Sequence, residues 1–419
     1  MNILIATLAY HPYVGGHAVL TRVTAEALAE RRHEIFVVTS NLTQFSPLEK
    51  TNAGIEVMNG IPVFRFDSAW PDVSNSSHIG GVFTSFIDGL SILDEKYSLL
   101  QNAFLLMRSL SFPFSPQALI WALTSDFQTD VIHALDLVWS TSFISFFMAK
   151  RRKIPYVITP LLHTYSQRHR GNSLVKVMRE ADAVIPATKS EREFVLSRGV
   201  DKRKVHLIDL GINTEMLNGG DGSRFRSKHG IPEEDPIVLF IGRKELDKGL
   251  IQLIESMNHV WRIVPSAKLV IIGPNGILPM DVRTYNGVIS SVPEKKKRRI
   301  LDLGVVREEE KLDALSASAV LAVPSKREAF GLVYLEAWYY SKPVVGALCK
   351  PVSDVIDNGR NGLLVRFGDE KQLADGLLAL LKNERMRSDL GSEGRRKLMM
   401  RYTSDVMISK LEKVYQAIT

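Results

Sequence analysis

The sequence predicts an α/β fold: two doubly wound domains of parallel sheet and helix facing an interdomain cleft, with a helical insertion in the first. Three observations lead there. At 419 residues the chain exceeds what one hydrophobic core supports, so two domains of roughly 200 residues each are expected. Continuous β-branched runs alternate with helix-period stretches, as in parallel sheets covered on both faces. After a glycine-rich polar segment at 207–226, the same alternation starts again.

In chain order, "NILIA" is a first strand, followed by a glycine-bearing loop, an amphipathic stretch over 17–31 and a second strand, "EIFVVT". Alternation resumes at "DVIHAL", "YVIT" and "AVIPA". Between these sections, residues 67–120 break the pattern and read as an inserted helical subdomain. Val82, Phe83, Phe86, Ile87, Leu90 and Leu93 fall on one helical face, and Leu99, Leu100, Phe104, Met107 and Leu110 on another. The second half runs through "PIVLFIG", "AKLVIIG", "AVLAVPS", "KPVVG" and "NGLLV". The expected domains are therefore 1–209 and 210–400, with 401–419 a helix returning to the first. Ligands of such sheets lie at the carboxyl ends of the strands.

Apolar residues make up 45% and charged residues 24%, which excludes a disordered or fibrous chain. Lysine and arginine number 53 against 46 acidic residues. That excess suits an anionic ligand or membrane surface and is too small to indicate nucleic acid. The lone Cys349 cannot form an internal disulfide, which points to the reducing cytoplasm. "MNILIATLAY" reads as a strand rather than a signal peptide. No apolar run approaches the roughly 20 residues of a membrane span, so any membrane contact is expected to be peripheral. The clusters "KRRK" (150–153), "RHR" (168–170) and "KKKRR" (295–299) suit acidic lipid headgroups, with a solvated surface the commoner reading.

Three stretches carry residue types suited to a phosphorylated ligand, and a fourth places a histidine after a strand. In "YHPYVGGHAVL", Gly15 and Gly16 precede a helix and let backbone N–H groups approach a phosphate; the plain alternative is a tight turn. "FIGRKELDKG" offers Arg243 and Lys248, a guanidinium fork and a compact ammonium that together suit a diphosphate. There the alternative is a solvated loop paired with Glu245 and Asp247. In "SKREAFGLVYLEAWYY" a helix begins near Gly331, so N–H groups around Phe330, Gly331 and Leu332 lack helical acceptors. Glu336 on that helix is placed to accept from two ribose hydroxyls, and Glu328 before it from hydroxyls of a sugar. The competing reading is one capping acid and one partnered core acid. Finally, "YVITPLLHT" puts His163 just after a strand.

Together these motifs resemble the GT-B retaining glycosyltransferases of family 4, over nearly the whole chain. The resemblance rests on the two glutamates separated by seven residues in "EAFGLVYLE", on "GRKELDKG", on the early "GG" and on "NGRNGLLV". It implies Rossmann-like domains and a nucleoside diphosphate sugar donor, a UDP- or GDP-sugar, with Arg243 and Lys248 on the diphosphate, Glu336 on the ribose and Glu328 on the sugar. It also implies backbone contacts near Leu303 to the nucleobase, and His163 as an active-site histidine. His163, Glu328, Arg243 and Lys248 are then the catalytic set. His133 in "DVIHALD" departs from the family's His-x-His because Leu135 replaces the second histidine, and it is expected to orient the cleft. His17, His133, Arg168 and Arg170 are assigned to the acceptor side, His17 with a helix-surface position as its other reading. No cofactor and no metal are expected, since cations and a helix dipole neutralise the leaving diphosphate. The resemblance favours front-face transfer with retention, to a hydroxyl acceptor that is a lipid, a lipid-linked glycan or a soluble sugar. A noncatalytic sugar-nucleotide sensor, or an epimerase or phosphorylase on the same architecture, is the alternative; His163 and Glu328 favour transfer.

Overall fold

The structure is a computed structural model, and it describes all residues except 14, 46–47, 70–88, 91, 98–101, 106–112, 165 and 167–168. It divides into two compact units, one of Met1–Gly211 with Ser404–Thr419 and the other of Ile212–Thr403.

The first unit is built on a seven-stranded sheet. Its strands are β1 (Asn2–Thr7), β2 (Glu34–Ser40), β5 (Gly54–Met58), β6 (Ile61–Phe66), β7 (Val131–Leu135), β8 (Tyr156–Thr159) and β9 (Ala183–Val184), while β3 (Leu42–Phe45) and β4 (Leu48–Lys50) form a separate antiparallel ribbon. The order is β5-β6-β2-β1-β7-β8-β9. Ile3 pairs in parallel with both Ile35 and Val131, which puts β1 at the centre. With helices covering both faces, Ile3, Leu4, Ile5 and Ala6 are all buried, which is why this strand reads as one apolar run. The edge strand β5 is antiparallel to β6. Asn59 and Gly60 both take positive φ there, 50° and 79°, forming the two-residue turn that suits the strands' right-handed twist.

Helices of this unit include α1 (Gly16–Glu30), α2 (Pro116–Thr124), α3 (Ser140–Arg152), α4 (Asn172–Glu180) and α5 (Lys189–Ser197). Ser115 caps α2 by accepting from Ala118 N–H at 3.2 Å, with Pro116 in the first turn where no N–H is needed. Lys150, Arg151 and Arg152 occupy the last turn of α3, where cations complement the helix dipole. Most of the expected insertion helices, with Val82, Phe83, Phe86, Ile87, Leu99, Leu100, Met107 and Leu110, lies outside the described residues, as does Arg168. Of the described positions, Leu90 and Phe104 are buried, whereas Leu93 is 46% exposed rather than packed.

The second unit contains α6 (Gly222–His229), β10 (Ile237–Ile241), α7 (Leu250–Ile263), β11 (Lys268–Ile272), α8 (Pro279–Ser291), α9 (Glu294–Lys297), β12 (Ile300–Gly304) and α10 (Glu308–Ala317). It continues with β13 (Val320–Val323), α11 (Leu332–Tyr339), β14 (Val344–Ala347), α12 (Lys350–Val355), β15 (Gly362–Val365), α13 (Glu370–Lys382) and α14 (Glu384–Arg401). The sheet order is β12-β11-β10-β13-β14-β15, parallel throughout. Chain direction across the sheet reverses between β10 and β13, the switch point at which an open α/β sheet offers a crevice.

The last helix, α15 (Ser404–Ile418), belongs to the first unit. Arg31 at the end of α1 pairs with Glu412 at 2.7 Å and Asp405 at 3.2 Å, and Tyr415 is fully buried. Among the described residues, no helix is long and apolar enough to cross a membrane.

Candidate active site

At the switch point of the second unit, two loops meet. After β10 the chain runs through Gly242 to Glu245 and a 3-10 turn over Leu246–Lys248, then into Gly249 at φ 75°. A Cβ on Gly249 would sit 2.3 Å from the Pro324 carbonyl oxygen, so only glycine lets this backbone lie against the loop after β13. The contact is fixed by Lys326 N–H donating to Asp247 O at 2.7 Å and by an ion pair between Arg327 and Asp247.

This docking brings Lys248 Nζ to 2.7 Å from Glu328 Oε1, and Ser325 Oγ donates to the same oxygen at 3.0 Å. Glu328 is therefore no helix cap. It is a largely buried carboxylate satisfied by a cation from the neighbouring loop, which answers why an acid is affordable in such a place. Arg243 Nε stands 3.0 Å from Glu245 Oε1. The Cys349 thiol, after β14, faces Ser325 O at 3.6 Å, and burial pushes it up to about 11.

Gly331, at φ 94°, caps α11, and a Cβ there would strike the Tyr334 ring at 2.5 Å. The amides that open α11 lack intrahelical acceptors, as at any helix start. Phe330 turns its ring inward onto Tyr402, edge to face at 5.7 Å. One turn into α11, Glu336 is only 8% exposed and meets Lys311 Nζ of α10 at 3.0 Å. Lys311 also reaches Glu308 at 2.7 Å. Burial pushes the Lys311 ammonium down, but the charges of Glu336 and then Glu308 outweigh it and hold the group above the usual lysine range. Sequence reasoning missed Lys311, because nothing in "EEEKLDAL" announces a partner on another helix.

Leu303 occupies a β-bulge: Ile271 pairs with Asp302 and Ile272 with Gly304, leaving Leu303 as the extra residue. Beside it, Asp302 accepts from Lys244 Nζ at 2.6 Å and from Tyr285 Oη at 2.7 Å. Burial, then the Asp302 charge, raises the Tyr285 phenol above its usual range. Lys244 is thus committed to Asp302, and of the three cations in "GRKELDK" only Arg243 and Lys248 lie on the loop's 242–249 exit without that tie.

In the first unit, Gly15 precedes α1 in extended backbone, and a Cβ on it would meet the Tyr13 ring at 2.5 Å, whereas Gly16 has open space around it. The His17 ring lies 5.1 Å from that of Tyr13. His133 lies within β7, is fully buried, and contacts Tyr415 Oη at 2.6 Å and Thr159 Oγ1 at 2.9 Å. Burial lowers it to about 3. A neutral imidazole bonded at both nitrogens ties the sheet to α15 and has no path to an acceptor, which corrects the acceptor-side assignment of this residue.

His163 follows β8, and its N–H donates to His169 Nδ1 at 3.0 Å, the two rings meeting edge to face at 5.1 Å. Arg170 Nε donates to Thr164 O at 3.1 Å and so braces the same loop. Glu191 of α5, also missed in the sequence, accepts from Leu162 N–H and Ala187 N–H, each at 2.7 Å.

Comparison with known proteins agrees with this architecture. Residues 15–211 match the glycosyl transferase 4-like domain, and residues 221–397 match glycosyl transferases group 1. The D-inositol 3-phosphate glycosyltransferase of Xylanimonas cellulosilytica is 29% identical over 58% of this chain and 59% of its own length. The chain spans about half the length of several relatives of that name, 46% in Nocardia farcinica. The N-acetyl-alpha-D-glucosaminyl L-malate synthase of Bacillus anthracis is 23% identical over 97% of this chain and 94% of its own. Among solved structures, sucrose-phosphate synthase from Thermosynechococcus elongatus superposes with a TM-score of 0.73 at 19% identity, covering 100% of this chain and 98% of the other. Anabaena HepE in complex with UDP and glucose gives 0.73 at 16% identity, covering 100% of both. At such identities the structural likeness carries the fold, two Rossmann-like domains of GT-B type. With both halves of the chain matched by their respective family models, the chain belongs to the GT-B glycosyltransferases of family 4.

Proposed function

We propose that this protein is a retaining, metal-independent hexosyltransferase of the cytoplasm that moves a sugar from a UDP- or GDP-sugar to a hydroxyl acceptor. The observation that carries this reading is the Lys248–Glu328 pair at the switch point, where loops after β10 and β13 bring a cation and a carboxylate together at 2.7 Å. A nucleoside diphosphate sugar offers one partner to each: phosphate oxygens to Lys248 and hydroxyls to Glu328. Arg243 adds a second cation on the diphosphate, and the amides around Phe330, Gly331 and Leu332 a third source of positive potential. Glu336 receives the ribose hydroxyls, and the backbone at the Leu303 bulge receives the base.

As the bond to the sugar breaks, negative charge grows on the leaving diphosphate. Arg243, Lys248 and the start of α11 stabilise that charge more than the ground state, which is the condition for lowering the barrier. These groups supply the neutralisation a divalent ion would otherwise provide. On the same face, the departing phosphate accepts the proton of the incoming hydroxyl, and His163 contacts the reacting sugar. The relatives' names contain an inositol phosphate and malate, both small hydroxylated anions, and this acceptor class suits a chain with excess positive charge.

A lipid-linked acceptor with peripheral membrane contact is the second reading. It is favoured by Ile92 and Ile120, which are 51% and 60% exposed in helical segments of the first unit.

Thermal stabilisation by a panel of nucleotide sugars tests the reading, because a ligand that binds only the folded state raises its stability. A shift with UDP- or GDP-sugars is expected, and no shift with any nucleoside diphosphate or its sugar conjugates overturns it.

A further inference from the structure

Two consecutive amides of the loop after β8 are held by side chains rather than by the sheet. Leu162 N–H donates to Glu191 Oε1 at 2.7 Å, and His163 N–H to His169 Nδ1 at 3.0 Å. The other Glu191 oxygen accepts from Ala187 N–H at 2.7 Å, so one carboxylate spans the exits of β8 and β9. Glu191 is itself anchored in the first turn of α5, where its own N–H donates to the capping Thr188 Oγ1 at 3.2 Å. The restraint acts on strained backbone, since Leu161, immediately before it, takes φ 51°, a left-handed conformation that a leucine adopts only when its surroundings enforce it.

The environment of Glu191 is unusual for a structural acid. It is 2% exposed, and among the described residues no ion pair reaches it. Burial pushes it up to about 7; the Leu162 and Ala187 amides pull it down, and the charge of Asp136 at the exit of β7 adds to the rise. The two backbone donors meet different oxygens of Glu191, an arrangement that a carboxylate satisfies and an amide, with NH₂ at one of the two positions, does not.

Resting on the reading of His163 as the histidine that meets the reacting sugar, we propose that Glu191 is a positioning residue. Its two oxygens lock the exits of β8 and β9 and thereby hold the His163 backbone in register for transfer. Displacement of His163 by loop loosening affects the chemical step, while nucleotide binding belongs to the second unit and is untouched.

The test compares Glu191→Gln and Glu191→Asp with the wild-type chain by amide exchange, bare UDP or GDP calorimetry, and transfer kinetics. Gln sets an NH₂ against one of the two donors, and Asp is one methylene too short to span both. Each variant is expected to exchange faster at Leu162 and Ala187, to keep its diphosphate Kd, and to lose about ten- to hundredfold in kcat at temperatures well below its Tm. Should Gln fail to fold, Asp, which retains the charge, gives the reading. Wild-type kcat in a folded variant, or unchanged protection at both amides, overturns the proposal. If the wild-type chain transfers no sugar from any donor, the functional reading has failed instead, and the clamp stands or falls on the exchange result alone.

Discussion

Lys311 of α10 and Glu336 of α11 face each other at 3.0 Å, the carboxylate nearly buried and the ammonium shared with Glu308. The pair explains how an acid is accommodated inside an apolar helix: a cation from the neighbouring helix meets it directly. Removing the cation alone strands the carboxylate, which is worse than never having had the pair.

Lys311→Met is therefore expected to weaken binding of bare UDP or GDP by roughly tenfold or more and to reduce stability by about 3 kcal/mol. Lys311→Arg, which keeps the charge, loses much less. Calorimetry and denaturant unfolding check both effects; a methionine variant that binds the diphosphate as the wild type does removes Lys311 from the site.

The two glutamates separate cleanly. Glu336→Gln should weaken sugar nucleotide and bare diphosphate together, since both contain the ribose. Glu328→Gln should spare the diphosphate, or tighten it, because Lys248 is then released from its ion pair, and should impair transfer. Titration with the bare diphosphate followed by transfer kinetics distinguishes them, and equal effects in both assays with folding intact would contradict this division.

Acid stability carries a signature of His133 and Glu191. Burial lowers His133 from 6.5 to about 3, so the unfolded chain binds more protons in that window and His133 makes stability fall as pH drops below 6.5. Glu191 is raised from 4.5 to about 7, so its contribution runs the other way, stability falling as pH rises through that interval. Between 4.5 and 6.5 the two oppose each other. Glu191→Gln should expose the His133 slope there, up to about 1.4 kcal/mol per pH unit. Urea unfolding of wild type and variant at several pH values measures it, and parallel curves would refute the opposition.

How much of this was legible in the sequence follows from which interactions are local. β10, β11, β13 and β14 were readable because strands buried on both faces are uninterrupted apolar runs. Gly331 and the helix after it were readable from apolar spacing. The pairs that define the site were not, since Lys248 and Glu328 lie 80 residues apart and Lys311 and Glu336 lie 25 apart on different helices. The acceptor-side expectation for His133 fails because it lies mid-strand in β7, and Tyr415, its partner from the last helix, is 282 residues away in sequence. The Asn59-Gly60 hairpin is a local feature legible in the sequence, a strong two-residue turn signal between two short strands.

The membrane reading makes its own prediction. If the basic cluster at 150–153 and the exposed Ile92 and Ile120, all in the first unit, form one lipid-facing surface, the protein should sediment with anionic vesicles and be released by salt. Equal binding to neutral and anionic vesicles, or none to either, leaves the small anionic acceptor as the sole reading.

The most direct test of the central claim is sugar transfer by the purified chain from UDP- and GDP-sugars, with Arg243→Ala and Lys248→Ala alongside and the product's anomeric configuration read by NMR. Transfer with retention is predicted, reduced roughly ten- to several-hundred-fold in kcat/KM by either substitution, as befits loss of a cation that stabilises the leaving diphosphate. No transfer from any donor, an inverted product, or an undiminished rate in both folded variants would contradict it.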